Sequence, residues 1–233
     1  MTNPSFHPRG ELGLTGACCE NADGTKWISE HFDSRAGDHC EEYRRNGLSQ
    51  SSIILMRRLI DSGLSGRTVL DLGCGSGQFS VEALKKGALS SVGMDLSPVM
   101  IATANRLAGE SGLELKAKFL VGDAAKQDHQ NSDIVILDKV VCCYPSIEGL
   151  LSKASSACQE RLGLIVPRDV GFARVPVRVG VYVDNLIDRI RKNPARMYLH
   201  SLDHVDYLLR AARLRRKIAT VAGFWLVMIY ERY

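Results

Sequence analysis

No apolar run in the 233-residue chain approaches the roughly 20 residues of a bilayer-spanning helix, which excludes an integral helical membrane protein. The first 30 residues lack the charge-flanked apolar stretch and small-residue cleavage site of a secretory leader, so a cytoplasmic location is expected. Aromatic residues are scarce, at 6%, and none is interleaved with the basic runs, so the stacking platform of a single-strand nucleic-acid binder is missing. Spaced cysteine pairs of the zinc-binding kind are absent too, and no metal is expected. The seven cysteines are odd in number and include two adjacent pairs, Cys18-Cys19 and Cys142-Cys143, a poor disulfide framework that fits a reduced thiol set. What remains is an ordinary globular composition, 45% hydrophobic and 24% charged, in a chain long enough for one large core.

The net charge of +4 is unevenly spread. Residues 168–217 hold twelve Lys or Arg against five acids, while residues 1–167 carry 17 bases and 20 acids. A late basic segment suits an anionic acceptor, a polyanion or a membrane surface, and equally a solvated pair of Arg-rich helices.

Residues 1–28 are rich in Gly and Pro at their start, show neither helical nor strand period, and are expected to form a mobile arm. Charged, broken sequence follows from Ser29 to about Gly47, and then Ile53, Ile54, Leu55, Leu59 and Ile60 share one helical face. Beyond Gly66 short apolar runs alternate with amphipathic stretches, the pattern of a parallel sheet covered on both faces. Strands are expected at Thr68–Leu72, Ser91–Leu96, Lys118–Gly122, Ile134–Leu137 and Leu162–Val166, with helices at Gln78–Lys86, Pro98–Gly109 and Ile147–Gln159. Ser97-Pro98 reads as N-cap and first helical residue. An inserted helix is expected at Val181–Ile190, another at Asp203–Arg213, and a terminal hairpin pairing Lys217–Ala222 with Trp225–Tyr230 around Gly223.

The central motif is Val69-Leu70-Asp71-Leu72-Gly73-Cys74-Gly75-Ser76-Gly77-Gln78-Phe79, a strand running through three alternate glycines into a helix. Glycines there let the chain turn sharply and let a ligand lie against bare backbone. The G-x-G-x-G spacing differs from the dinucleotide fingerprint and suits a nucleoside with a cationic amino-acid tail. Asp95 ends the second strand, placed to accept from both ribose hydroxyls; Asp123 ends the third and Asp138 the fourth. Each acid alone reads as a cap or loop residue, but four at successive strand ends mark the rim where open α/β sheets bind ligands.

VLDLGCGSGQFS, GMDLS and VGDAA resemble the successive motifs of class I S-adenosylmethionine-dependent methyltransferases, over about residues 66–167. The resemblance implies a Rossmann-like, seven-stranded, mostly parallel sheet with helices on both faces, an N-terminal helical lid and a helical insert after the fifth strand. Within a single methyltransferase domain over 29–233 it divides the chain into lid helices (29–65), cofactor core (66–167), substrate-side insert (168–202), and last helix with terminal hairpin (203–233). It implies S-adenosyl-L-methionine as cofactor and S-adenosyl-L-homocysteine as product. By motif, Asp71, Gly73, Gly75 and Gly77 would line the methionine side, Asp95 with Leu96 the ribose, Asp123 the adenine amino group, Ala124 the adenine face, and Asp138 the edge toward the acceptor. Cys74 would pack inside the glycine loop, and Tyr43 resembles the lid aromatic near the methionine end, although a surface-helix role fits it as well. The chain lacks the Asn/Asp-Pro-Pro-aromatic motif of enzymes that methylate base amino groups. Its Asp138–Pro145 run and Val166-Pro167-Arg168-Asp169 look like a bacterial small-molecule subgroup related to magnesium-protoporphyrin O-methyltransferases.

Methyl transfer needs positioning and water exclusion more than an invariant catalytic group, with a base for weakly acidic acceptors. His200 and Tyr144 are candidates for that base, His200 equally for a structural role; Arg168 and Tyr198 are candidates for holding an anionic acceptor. His31 and His39 fall in the lid, and His204 reads as a capping or surface residue. Cys142 and Cys143, if in a strand, point to opposite faces and read as small buried hydrophobes. The expected partner is a small molecule rather than a nucleic acid, for a monomer or homodimer. A nucleic-acid-directed enzyme and a non-catalytic cofactor-binding subunit are the alternatives. Gly180–Arg191 is amphipathic enough for lipid contact, closure over a pocket or a dimer interface.

Overall fold

The computed structural model describes residues 26–191, 193 and 196–233. Seven strands form one sheet: β1 (Thr68–Leu72), β2 (Ser90–Asp95), β3 (Ala117–Val121), β4 (Ser132–Asp138), β5 (Cys158–Pro167), β6 (Leu214–Ala222) and β7 (Trp225–Arg232). Their order is β3-β2-β1-β4-β5-β7-β6; the first five run parallel and β7 lies antiparallel to both its neighbours. The helices are α1 (Lys26–Asn46), α2 (Gln50–Asp61), α3 (Gln78–Lys85), α4 (Pro98–Glu110), α5 (Glu148–Ala157), α6 (Arg174–Ile190) and α7 (Leu202–Ala211). The strand order and directions match the Rossmann-like, mostly parallel sheet expected from the sequence.

The apolar runs that announced the strands are buried from both sides. Along β4, Ile134 and Ile136 join the cluster under α2 and α3, whereas Val135 and Leu137 join the cluster under α5 and α7. Such alternation between two dry faces explains a continuous hydrophobic run where a half-exposed strand would alternate with polar residues. Chain order reverses between β2-β1 and β4-β5, which opens a crevice at the carboxyl ends of β1 and β4. Ser97 caps α4 as its spacing indicated, its hydroxyl accepting from the Met100 N–H at 2.9 Å, with Pro98 in the first turn.

Several boundaries differ from the sequence reading. Residues 29–46, charged and broken in pattern, belong to one 21-residue helix, α1, whose stabilising partners lie elsewhere in the chain. α5 stops at Ala157 rather than Gln159, since Cys158 already pairs with Ser132 of β4. α6 begins at Arg174, seven residues before the expected start; Pro176 lies in its first turn, where the missing N–H costs nothing. Cys142 and Cys143 sit in a short 3-10 turn, not a strand, and both sulfurs approach the Lys139 carbonyl, at 3.3 and 3.5 Å. Most of the expected 1–28 arm, with Cys18 and Cys19, lies outside the described residues.

Candidate active site

At the carboxyl rim of β1, β2 and β4 lies a cavity of about 430 Å³, the size of a small-ligand site. The glycine loop after β1 forms its floor. Gly73 has φ +72°, and a Cβ there would come within 2.4 Å of the Val140 side chain, so the loop and β4 close up only over glycine. Gly75 is different: at φ +52° a Cβ would meet nothing within 4 Å. Its bare face borders the cavity, a cradle left open on the ligand side.

Asp95 borders the cavity at the tip of β2. Its two oxygens accept from the Gly75 N–H and the Ser97 N–H, each at 2.9 Å, which fixes the carboxylate plane. A carboxylate accepts about four hydrogen bonds, so each oxygen keeps capacity for a hydroxyl. Burial pushes the Asp95 carboxyl up against the opposing pull of those N–H groups. Asp71, 1% exposed between β2 and β4, accepts from the Ser80 hydroxyl at 2.8 Å; burial pushes its carboxyl up to about 7, helped by nearby Asp138 and Asp95. Buried acids with unspent charge suit a cationic ligand.

Asp123 stands behind the wall that Gly122, Ala124 and Tyr144 form. Its Oδ1 accepts from the Tyr144 hydroxyl at 3.0 Å and the Ala125 N–H at 2.9 Å, while its buried Oδ2 has no hydrogen-bond partner, only the Lys126 ammonium 3.7 Å away. An orphaned carboxylate oxygen beside a small-residue wall fits an exocyclic amino donor. Leu96, Ala124 and Cys74 line the same end, and burial holds the Cys74 thiol well above its ordinary value, consistent with packing. Gly77 caps α3 at φ +75° and is not among the cavity-lining residues.

α1 roofs the cavity. Ser29 donates to the Leu96 carbonyl at 3.0 Å, Asp33 accepts from the Ser97 hydroxyl, and the His39 carbonyl accepts from Gln78 at 2.7 Å. Arg44 grips Glu110 of α4 through both carboxylate oxygens, at 2.7 and 2.8 Å. Tyr43 lines the cavity with its ring while its hydroxyl donates to Glu82 at 2.6 Å; burial and that carboxylate raise the phenol above its ordinary range. His39 also lines the cavity, and burial lowers its imidazole; His31 instead packs edge-on against Phe32.

At the far end Asp138 accepts from the Ser52 hydroxyl and from the Lys139 ammonium, the latter at 2.9 Å. Lys139 adopts φ +63°, an uncommon left-handed conformation for a lysine, which turns its side chain back over the cavity. Its ammonium also donates to Ser49 at 2.9 Å and Ser52 at 3.0 Å and lies 5.7 Å from the Trp225 ring centre. Among the described residues Lys139 is the lone lysine or arginine on the cavity wall. The sequence reading gave no site role to it, to Ser49 or to Ser52, and took the cavity-lining Cys143 for a small buried hydrophobe; nothing in the residue order signals a positive φ at a lysine.

Three expected acceptor-side residues are not brought to the wall. His200 is turned onto the Tyr144 carbonyl, which its Nε2 meets at 2.9 Å, and it is not among the cavity-lining residues. Tyr198 donates its backbone N–H to the Cys142 carbonyl at 2.7 Å and stacks loosely on His200. Arg168 bonds through its backbone N–H to the Phe224 carbonyl, and its buried Nε has no hydrogen-bond partner. Tyr144 does line the cavity, but its hydroxyl is spent on Asp123, and burial plus that charge raise the phenol. His204 pairs with Glu148 at 2.9 Å, a surface role.

Residues 69–161 match a family model described as a methyltransferase domain. Among curated relatives, ribosomal protein L11 methyltransferase of Histophilus somni (strain 2336) is 33% identical over 109 residues, which covers 45% of this chain and 36% of that protein. The chain thus spans little more than a third of that relative's length. Among solved structures, magnesium protoporphyrin IX methyltransferase from Synechocystis PCC 6803 with bound S-adenosylhomocysteine superposes with a TM-score of 0.70 at 22% identity, covering 91% of this chain and 100% of that one. The 1,6-didemethyltoxoflavin-N1-methyltransferase of Burkholderia thailandensis, bound to its substrate and S-adenosylhomocysteine, gives 0.64 at 16% identity over 89% and 88% of the two chains.

Proposed function

We propose that this chain, a class I S-adenosylmethionine-dependent methyltransferase by its domain and fold, transfers the methyl group to a small molecule bearing an anionic or acidic oxygen. The observation that carries the acceptor reading is the ammonium of Lys139, held on the cavity wall by Asp138, Ser49 and Ser52. A cavity roofed by α1 supports a compact acceptor over a duplex or a broad protein surface. The likeness to ribosomal protein L11 methyltransferase leaves more than half of this chain uncompared, and it supports the cofactor rather than a protein acceptor.

When bound, S-adenosylmethionine supplies a methyl group already activated by a positively charged sulfur. Asp95 would hold the ribose, Asp123 the adenine amino group and Ala124 the adenine face. Asp71 and the bare Gly73–Gly75 backbone would receive the cationic amino-acid tail. α1 excludes water. Lys139, exchanging one of its serine partners for the acceptor, would stabilise the acceptor oxygen in its ionised form and aim it at the methyl carbon, a positioning effect. Separately, Asp138 orients the ammonium.

Incubation with methyl-labelled S-adenosylmethionine and a small-molecule extract should place label in the dialysable fraction. Label retained on protein or RNA would replace the small-molecule reading. Heat of binding for S-adenosylhomocysteine, abolished by Asp95→Ala, tests the cofactor side independently.

A further inference from the structure

The inserted helix α6 presents an apolar face outward. Val175, Val179, Tyr182, Leu186 and Ile190 follow one line at helical spacing, and each is between 43% and 72% exposed. Val183 and Ile187 widen the stripe, and Phe172 stands fully exposed just ahead of it. The opposite line, Val177 and Val181, is the buried one and continues into the two acids of the helix, Asp184 and Asp188. Arg174, Arg178 and Arg189 form a third line along one border of the exposed stripe. A helix of a folded protein normally turns its apolar face inward; α6 turns its larger apolar face to solvent.

The orientation is fixed rather than accidental. Arg178 grips the buried carboxylate of Asp169 through two bonds of 2.9 Å, and Arg174 lies 3.6 Å from the same group. Asn185 exchanges two hydrogen bonds with the Met197 backbone, at 2.9 and 2.8 Å. These contacts hold the inner line against the protein and the stripe away from it.

We propose that α6 is an interfacial helix that docks the protein on an anionic lipid surface, with the Val175–Ile190 stripe sunk into the acyl boundary and the arginine line among the headgroups. Charge selects this occupant: Asp184 and Asp188 lie on the side away from the stripe, whereas Arg174, Arg178 and Arg189 border it. The first two are half-exposed with Asp169 offsetting one of their two charges, so that the border stays net positive as in helices that lie in a bilayer interface. A second copy suits it less well, because antiparallel pairing of two stripes sets one arginine line against the other. Lipid contact of this kind needs no spanning segment, and among the described residues no helix is long and apolar enough to cross a membrane.

The test is co-sedimentation of the full chain with vesicles of phosphatidylcholine and phosphatidylglycerol, against vesicles of phosphatidylcholine alone. Binding should favour the mixed vesicles and weaken with added salt. The double variant Tyr182→Glu, Leu186→Glu should bind about tenfold or more weakly, with melting temperature and S-adenosylhomocysteine affinity unchanged, since both side chains are exposed and remote from the cavity wall. Three outcomes overturn the proposal: no sedimentation with mixed vesicles, equal sedimentation of the variant, or a wild-type dimer in ultracentrifugation that the variant disperses while lipid binding is absent.

Discussion

The hydroxyl of Tyr144 donates to the Asp123 carboxylate at 3.0 Å, so the aromatic residue after β4 orients the acid that ends β3. The two elements belong to opposite sides of β1 in the sheet, and the bond spans the cavity wall between them. Under the proposed function, Tyr144 would therefore act on the cofactor rather than on the acceptor. Tyr144→Phe removes one hydrogen bond, worth about 1 kcal/mol, and should weaken S-adenosylhomocysteine binding roughly fivefold. Calorimetry checks it. A fall in kcat with cofactor affinity intact would return Tyr144 to the role of base.

Asp71 should make cofactor affinity depend on pH. Its carboxyl is pushed up to about 7, mainly by burial. A cationic ligand favours the ionised form, so binding should release a proton, and affinity should rise with pH until it levels above about 7. Below that pH the loss approaches tenfold per unit until the bound-state value is reached. Titrations in buffers of different protonation heat measure the proton directly. In Asp71→Asn the proton release should vanish and affinity should stay low at every pH.

Lys139→Met should raise KM for the anionic acceptor by roughly tenfold or more, the worth of a charge-assisted hydrogen bond. Affinity for S-adenosylhomocysteine should stay within about twofold. Steady-state kinetics with calorimetry on the same preparation separates the two. Equal losses on both sides would show that the lysine supports the wall as a whole, through Ser49, Ser52 and Asp138.

Two glycines of the loop should fail in different ways. Gly73→Ala drives a methyl into Val140 at a positive φ and should cost about 2–4 kcal/mol of stability, seen as a lower melting temperature. Gly75→Ala meets no protein atom, so its stability cost should stay near the 1 kcal/mol of the left-handed conformation. Its methyl enters the ligand's space, and S-adenosylhomocysteine binding should be lost. A Gly75→Ala protein that binds normally would remove the cradle from the proposed site.

Much of the core was legible from residue order because it is built from local units. Strand β1, the glycine loop and α3 are contiguous, and the backbone conformation that only glycine tolerates is written in the spacing of Gly73, Gly75 and Gly77. Asp71, Gly73, Gly75, Asp95, Leu96, Ala124 and Asp138 all border one cavity because parallel strands end on one edge. Helix α1 was harder to read, since its partners Glu82, Leu96, Ser97 and Glu110 lie 39 to 67 residues away in sequence. His200, Tyr198 and Arg168 looked suited to the acceptor by composition, but a side chain's chemistry does not say which way its segment faces.

By itself the sequence determined the parallel sheet, the ligand-bearing edge and the nucleoside-type loop, because hydrophobic periodicity and glycine spacing act over a few residues. Tertiary structure alone decided that Lys139 lines the cavity, that Tyr144 bonds to Asp123, and that α6 turns its apolar stripe outward. Each of these depends on contacts between segments distant in the chain, and such contacts are settled by competition among packing, burial and charge in the assembled fold.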